Sequence, residues 1–214
     1  MSTELTLKTQ PFLEEAGSSL ESQHISRLAE SCPFQIRFGC APALVKGCFN
    51  FSRINYQIEQ PEIMDNVYDR EWDGSPPEKV GSYLRRFYKD VQYHENLDLA
   101  QSGALLSFNR LLLVLWRDCL LDSDFSKEEG HWSFLVQAGI SRVKICDPSN
   151  ARRLYYKDDS AVIGIPKALN GLKFERRKVY ELDSGYYQNH WFDELPSGRI
   201  GRGVAVSIDP YVLK

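Results

Sequence analysis

Apolar residues change their spacing along this chain, from helical intervals in the first half to strand-like runs in the second. Val80, Leu84 and Phe87 recur at helical spacing, which predicts a helix, and Leu97 to Phe108 predicts a second helix packed beside it. Ser75 with Glu78 has the capping-box pattern that would start the first of these, and Ser18 with Glu21 repeats it ahead of Leu20, Ile25 and Leu28. Gly39, Cys40, Ala41 and Pro42 read as a turn running into a helix over Pro42 to Asn50. A first-turn proline costs nothing there, because its missing N–H would be unpaired anyway.

From Leu111 onward the pattern is that of strands. Leu111 to Trp116 is a continuous apolar run, Asp122 to Gly130 a polar loop, and the segments His131 to Gln137 and Val143 to Cys146 flank a break at Gly139. Leu172 to Tyr180 and Gly203 to Ile208 are later strand candidates. Helices early and strands late predict an α+β domain of two layers, N-terminal helices packed on a C-terminal antiparallel sheet. Residues 1–30 are polar and are expected to form an N-terminal extension, a short amphipathic helix after a loose tail that could bind a partner. Residues 31–214 are expected to form the main domain.

Candidate chemistry lies at the predicted hairpin. His131 and Asp147 stand equally far on either side of Gly139, so a pairing centred there would place them directly opposite, with Cβ atoms about 4.5 to 5.5 Å apart. A carboxylate behind an imidazole fixes one tautomer and one orientation, as general-base chemistry requires. The nucleophile would be Cys40, since unpaired N–H groups and the macrodipole at a helix N-terminus favour thiolate over thiol. Gln35, just upstream, could donate a side-chain N–H to an oxyanion. Should Asp147 point elsewhere, Asn150 is the next residue able to orient the ring. Cys48, Cys119 and Cys146 read as small core hydrophobes.

In order and texture these residues resemble the papain-like bacteriocin-processing (double-glycine) peptidases and their stand-alone relatives. That family's cysteine opens a helix in a Cys-Gly-Pro-Ala-like stretch, matched here by Cys40, Ala41, Pro42 and Ala43. Its histidine begins a hydrophobic strand after a Gly-His pair, matched by Gly130 and His131, and its aspartate precedes a proline, matched by Asp147 and Pro148. Its final Gly-Val-Ala strand corresponds to Gly203, Val204 and Ala205, so the likeness runs from about Gln35 to Pro210. The chain departs from the family in having Gly39 where an acidic residue is usual and Ala41 where glycine is usual.

The resemblance implies a papain-like fold and a cysteine peptidase acting through Cys40, His131, Asp147 and Gln35. Its substrates would be peptides or proteins, cut after small residues such as Gly-Gly because a narrow cleft excludes side chains. An amide-bond acyltransferase of the phytochelatin-synthase kind would use the same site. A catalytically degenerate peptide-binding module is the alternative that the departures at Gly39 and Ala41 suggest. A partner-binding role for the aromatic residues Tyr186, Tyr187, Trp191 and Phe192 is a third.

Composition narrows these readings. The chain has 214 residues, 43% of them hydrophobic, enough to bury one full core. A net charge of -3 lacks the basic balance of a general nucleic-acid binder. The apolar run Leu111 to Trp116 is far short of the roughly 20 residues that span a bilayer. No charged-then-apolar leader is seen, and five cysteines without dense pairing suit a reducing, cytoplasmic compartment. Cys32, Cys40 and Cys48 lack the close spacing of a structural zinc site, so neither metal nor cofactor is expected. Gly198 to Gly203 precedes a strand, whereas a dinucleotide fingerprint follows one and opens a helix, so it reads as a turn with two exposed arginines.

Overall fold

The computed structural model describes residues 18–36, 39–54, 57–72, 74–118, 129–148, 152–157, 160–162, 173–175, 179–189 and 203–214. Cys119, Asn150, Trp191, Phe192 and the Gly198 to Arg202 turn lie outside these residues. In chain order the elements are β1 (Ser18–Ser19), α1 (Ser22–Ser31), α2 (Cys40–Phe51), α3 (Gln60–Val67), α4 (Pro77–Leu84), β2 (Val91–His94), α5 (Leu99–Ser107) and β3 (Leu111–Asp118). Then follow β4 (Glu129–Ala138), β5 (Arg142–Cys146), β6 (Arg152–Lys157), β7 (Ser160–Val162), β8 (Lys173–Glu175), β9 (Val179–Asp183), α6 (Ser184–Asn189) and β10 (Ala205–Ile208). The fold is α+β, with helices packed against an antiparallel sheet.

The main sheet runs β2-β10-β3-β4-β5-β9, with β1 added against the far end of β4. A smaller sheet has the order β7-β6-β8. The final strand β10 inserts between β2 and β3, pairing Val206 with Tyr93 on one side and Leu113 on the other. The expected strand over Leu172 to Tyr180 is instead two, β8 and β9, in different sheets.

Strand alternation sorts the sheet's side chains onto two faces. Val206, Leu113 and Phe134 are cross-strand partners on one face, and helices cover it. A Cβ on Gly81 of α4 would sit 3.9 Å from Val206, and a Cβ on Gly47 of α2 would sit 3.3 Å from the Phe134 ring. The other face carries Ala205, Val114 and Ser133, and one step along the same strands Trp116 and His131. Trp116, Trp132, Phe134, Phe49 and Phe51 are all fully buried. Each such side chain contributes about 1.5 to 3 kcal/mol relative to exposure.

Segments expected to stand apart are built into this core. Leu20 and Leu28 are buried in the same cluster as Leu44 and Leu135, so residues from Ser18 onward pack with the domain that was expected to begin at residue 31. Neither expected capping box forms. Ser18 is in β1 and α1 is capped by Glu21, while α4 is capped by Pro76, in both cases without a side-chain cap bond. The box that does form opens α5. Asp98 Oδ1 accepts from the Gln101 N–H at 2.7 Å, and Gln101 Oε1 accepts from the Asp98 N–H at 3.0 Å. Gly203, just before β10, lies against the β2–α5 connection, where only glycine fits, because its φ is +62° and a Cβ would lie 2.0 Å from the Leu97 carbonyl oxygen.

Candidate active site

Cys40 is the first residue of α2, half-buried, with Gly39 as the N-cap. Only glycine fits at 39, since a Cβ there would lie 2.9 Å from the Ile36 carbonyl oxygen, the same oxygen that accepts the Gly39 N–H at 3.1 Å. The usual acidic residue of the resembled family would therefore force this turn to shift. Gln60 at the start of α3 fastens the approach to the turn. Its Nε2 donates to the Phe34 carbonyl at 2.9 Å and its Oε1 accepts the Ile36 N–H at 3.2 Å. Gln60 is buried, and sequence reasoning missed it; a glutamine before Pro61 carries no signal beyond a helix start.

His131 and Asp147 are both buried and in contact, with 3.2 Å between Nε2 and Oδ1. They are not directly opposite, as a hairpin centred on Gly139 would require. The turn spans Gly139 to Arg142, closed by the Gly139 N–H donating to the Arg142 carbonyl at 2.9 Å, and the β4–β5 register shifts between Leu135 and Gln137. Phe134 consequently pairs with Cys146, which puts Asp147 across from Ser133 and diagonal to His131. Diagonal neighbours on one face are still within reach of long side chains. Trp116 stands edge-on to the His131 ring at 6.0 Å between centroids.

Two observations relate this pair to Cys40. The Gln35 N–H donates to the Pro148 carbonyl at 2.8 Å, so the segment after α1 lies beside Pro148, the residue following Asp147. Cys40 also lies on the same side of α2 as Gly47, two turns nearer the N-terminus. Two turns rise about 10.5 Å, close to the roughly 10 Å from Phe134 to His131 along β4. The Gln35 bond ties the segment before α2 to the residue that follows Asp147. Alternation nevertheless puts His131 on the face away from α2, so sulfur and imidazole can meet only around the end of the strand. Among the described residues Cys40 makes no hydrogen bond to His131. The structure thus joins His131 to Asp147, and Gln35 to Pro148 through backbone atoms, and leaves the thiol outside hydrogen-bond contact with the ring.

The other described cysteines, Cys32, Cys48 and Cys146, are buried and form no disulfide among the described residues. Burial pushes the Cys48 thiol far above its ordinary range, which makes it inert as a nucleophile. Among the described residues no group of three or more His, Cys, Asp or Glu is placed to hold a metal ion, and no helix is long and apolar enough to cross a membrane. No protein-family model matches the chain, and no curated protein matches it.

Proposed function

We propose that the chain is a thiol-dependent hydrolase of peptide or amide bonds with Cys40 as nucleophile, His131 as base and Asp147 as its orienting carboxylate. The observation that carries this reading is the buried His131–Asp147 pair next to the segment that delivers Cys40 to a helix N-terminus. Nε2 of His131 is turned to Asp147, so Nδ1 is the ring nitrogen that would receive the thiol proton. The Cys40 sulfur then attacks the carbonyl carbon, and the C–N bond breaks as His131 returns the proton to the leaving amine. Water releases the acyl group from the thioester. The Cys40 backbone N–H and the Gln35 side chain would stabilise the oxyanion. An amine in place of water would make the same site an acyltransferase. The papain-like plan, a peptide substrate cut after small residues, and a cytoplasmic setting belong to this proposal and rest on the sequence resemblance.

A peptide-binding module without catalysis is favoured by one observation, the absence of a Cys40–His131 hydrogen bond among the described residues. Catalytic contacts are often long before substrate binds, which is why the hydrolase is preferred. Labelling with a broad cysteine-protease electrophile, followed by mapping of the modified residue, separates the two. The hydrolase should be modified at Cys40, and the label should vanish in Cys40→Ala and His131→Ala, while Asp147→Asn slows labelling by a smaller factor. Modification at Cys48 or Cys119 in preference to Cys40 would remove the nucleophile from this scheme.

A further inference from the structure

Ser133 has no role in the scheme above, yet its position is unusual. Its hydroxyl oxygen is fully buried and makes no hydrogen bond among the described residues. Its β3 partner is Val114, and two residues along its own strand on the same face are His131 and Leu135. Continuing the register one step beyond Phe134 and Cys146 sets Asp147 across from it on the β5 side. The His131–Asp147 contact corroborates this, since it requires the Asp147 side chain to lie on the face that His131 and Ser133 share. Directly opposed residues on one face have Cβ atoms about 4.5 to 5.5 Å apart. A buried hydroxyl left unpaired costs stability in that state, and one within rotamer reach of a carboxylate has an acceptor to turn to.

We infer that Ser133 is a positioning residue for Asp147, its hydroxyl donating into the carboxylate and holding Oδ1 toward His131 Nε2 when the site is engaged. The inference rests on the roles proposed for His131 and Asp147. A serine reaches a different acceptor by changing χ1 between staggered rotamers, with no backbone movement. An ionised carboxylate offers about four lone-pair sites, so it can accept from Ser133 as well as from His131. A donor on the carboxylate spreads its charge and sets how strongly the pair holds a proton on the imidazole.

The test is an NMR titration of the His131 ring in the full chain, comparing wild type, Ser133→Ala, Ser133→Thr and Asp147→Asn, with Ser133→Ala repeated in the Asp147→Asn background. Ser133→Ala should raise the proton affinity of His131 several-fold, Ser133→Thr should return it toward wild type, and the effect should vanish when residue 147 is asparagine. A hydroxyl that merely occupies the core would behave otherwise. Its removal would leave the titration unchanged and raise the thermal midpoint, and that result overturns the assignment. Failure of Cys40 to label, with the coupling between Ser133 and Asp147 intact, would count against the hydrolase and leave the positioning role standing.

Discussion

His94, on the edge strand β2, and His131, on the inner strand β4, project from the same face of the main sheet, and each is tied across it, His94 to Ser207 on β10 and His131 to Asp147 just past β5. His94 Nε2 lies 2.9 Å from Ser207 Oγ, which accepts from Arg110 Nε at 3.2 Å, and Arg110 is paired in turn with Asp90. Because arginine can only donate, the hydroxyl hydrogen of Ser207 is available to His94, which suits a neutral ring. Burial and the Arg110 charge hold the His94 pKa below its usual value. His131 instead faces a carboxylate, the kind of partner that favours a proton on the ring. The two rings share a face and differ in the group set behind them. Burial and a guanidinium relayed through serine make His94 a neutral strut, and the carboxylate beside His131 is the partner that its proposed role requires.

Breaking each cluster at its anchor gives the largest contrast. Asp147→Ala breaks the buried His131–Asp147 pair and should cost about 3 to 5 kcal/mol in urea unfolding. Arg110→Ala removes charge-assisted bonds whose acceptor Asp90 keeps access to water, and should cost about 1.5 to 3 kcal/mol. A larger loss from Arg110→Ala would reverse the ranking of the two clusters.

Acid titration gives a smaller effect of known sign. With its folded pKa below the usual 6.5, His94 binds a proton more readily in the unfolded chain. Its contribution is therefore complete above about pH 6.5 and is lost as pH falls from there toward the folded value. Asp90, held below its usual 3.8 chiefly by the Arg110 hydrogen bond, acts in the same direction at lower pH. Its contribution is present above about 3.8 and lost as pH falls through the folded pKa. His94→Gln should flatten the stability profile just below pH 6.5 and leave the more acidic limb unchanged. A profile identical to wild type would mean that His94 is not held neutral by its surroundings.

How far these regions could be read from residues alone follows from where their determinants lie. The helix opened by Cys40, the apolar strand from Leu111 and the hairpin bearing His131 and Asp147 are local patterns, and they were legible. The hairpin's register was not, because Gly139 begins the turn instead of centring it and an irregularity between Leu135 and Gln137 moves the pairing again. The His94 cluster was invisible for a different reason. Short β2 has no clear alternation, and Ser207 reaches it only because β10 inserts between β2 and β3, more than a hundred residues later in the chain. Helix α3 escaped notice as well, being short and mostly polar, and with it the Gln60 fastening before Cys40. The Ser-x-x-Glu pattern misled twice, at Ser18 and Ser75, while the working box used Asp98 and Gln101.

The assignment of His131 as the base for Cys40 is tested most directly by the rate of alkylation at Cys40 at neutral pH, followed residue by residue by mass spectrometry in wild type and His131→Ala. Cys40 should be alkylated many-fold faster in the wild type than in His131→Ala, where it should react no faster than a free cysteine. Cys48 should stay unreacted throughout, as its burial requires. Equal alkylation rates at Cys40 in both proteins, at the level of a free cysteine, would contradict the assignment of His131 as its base.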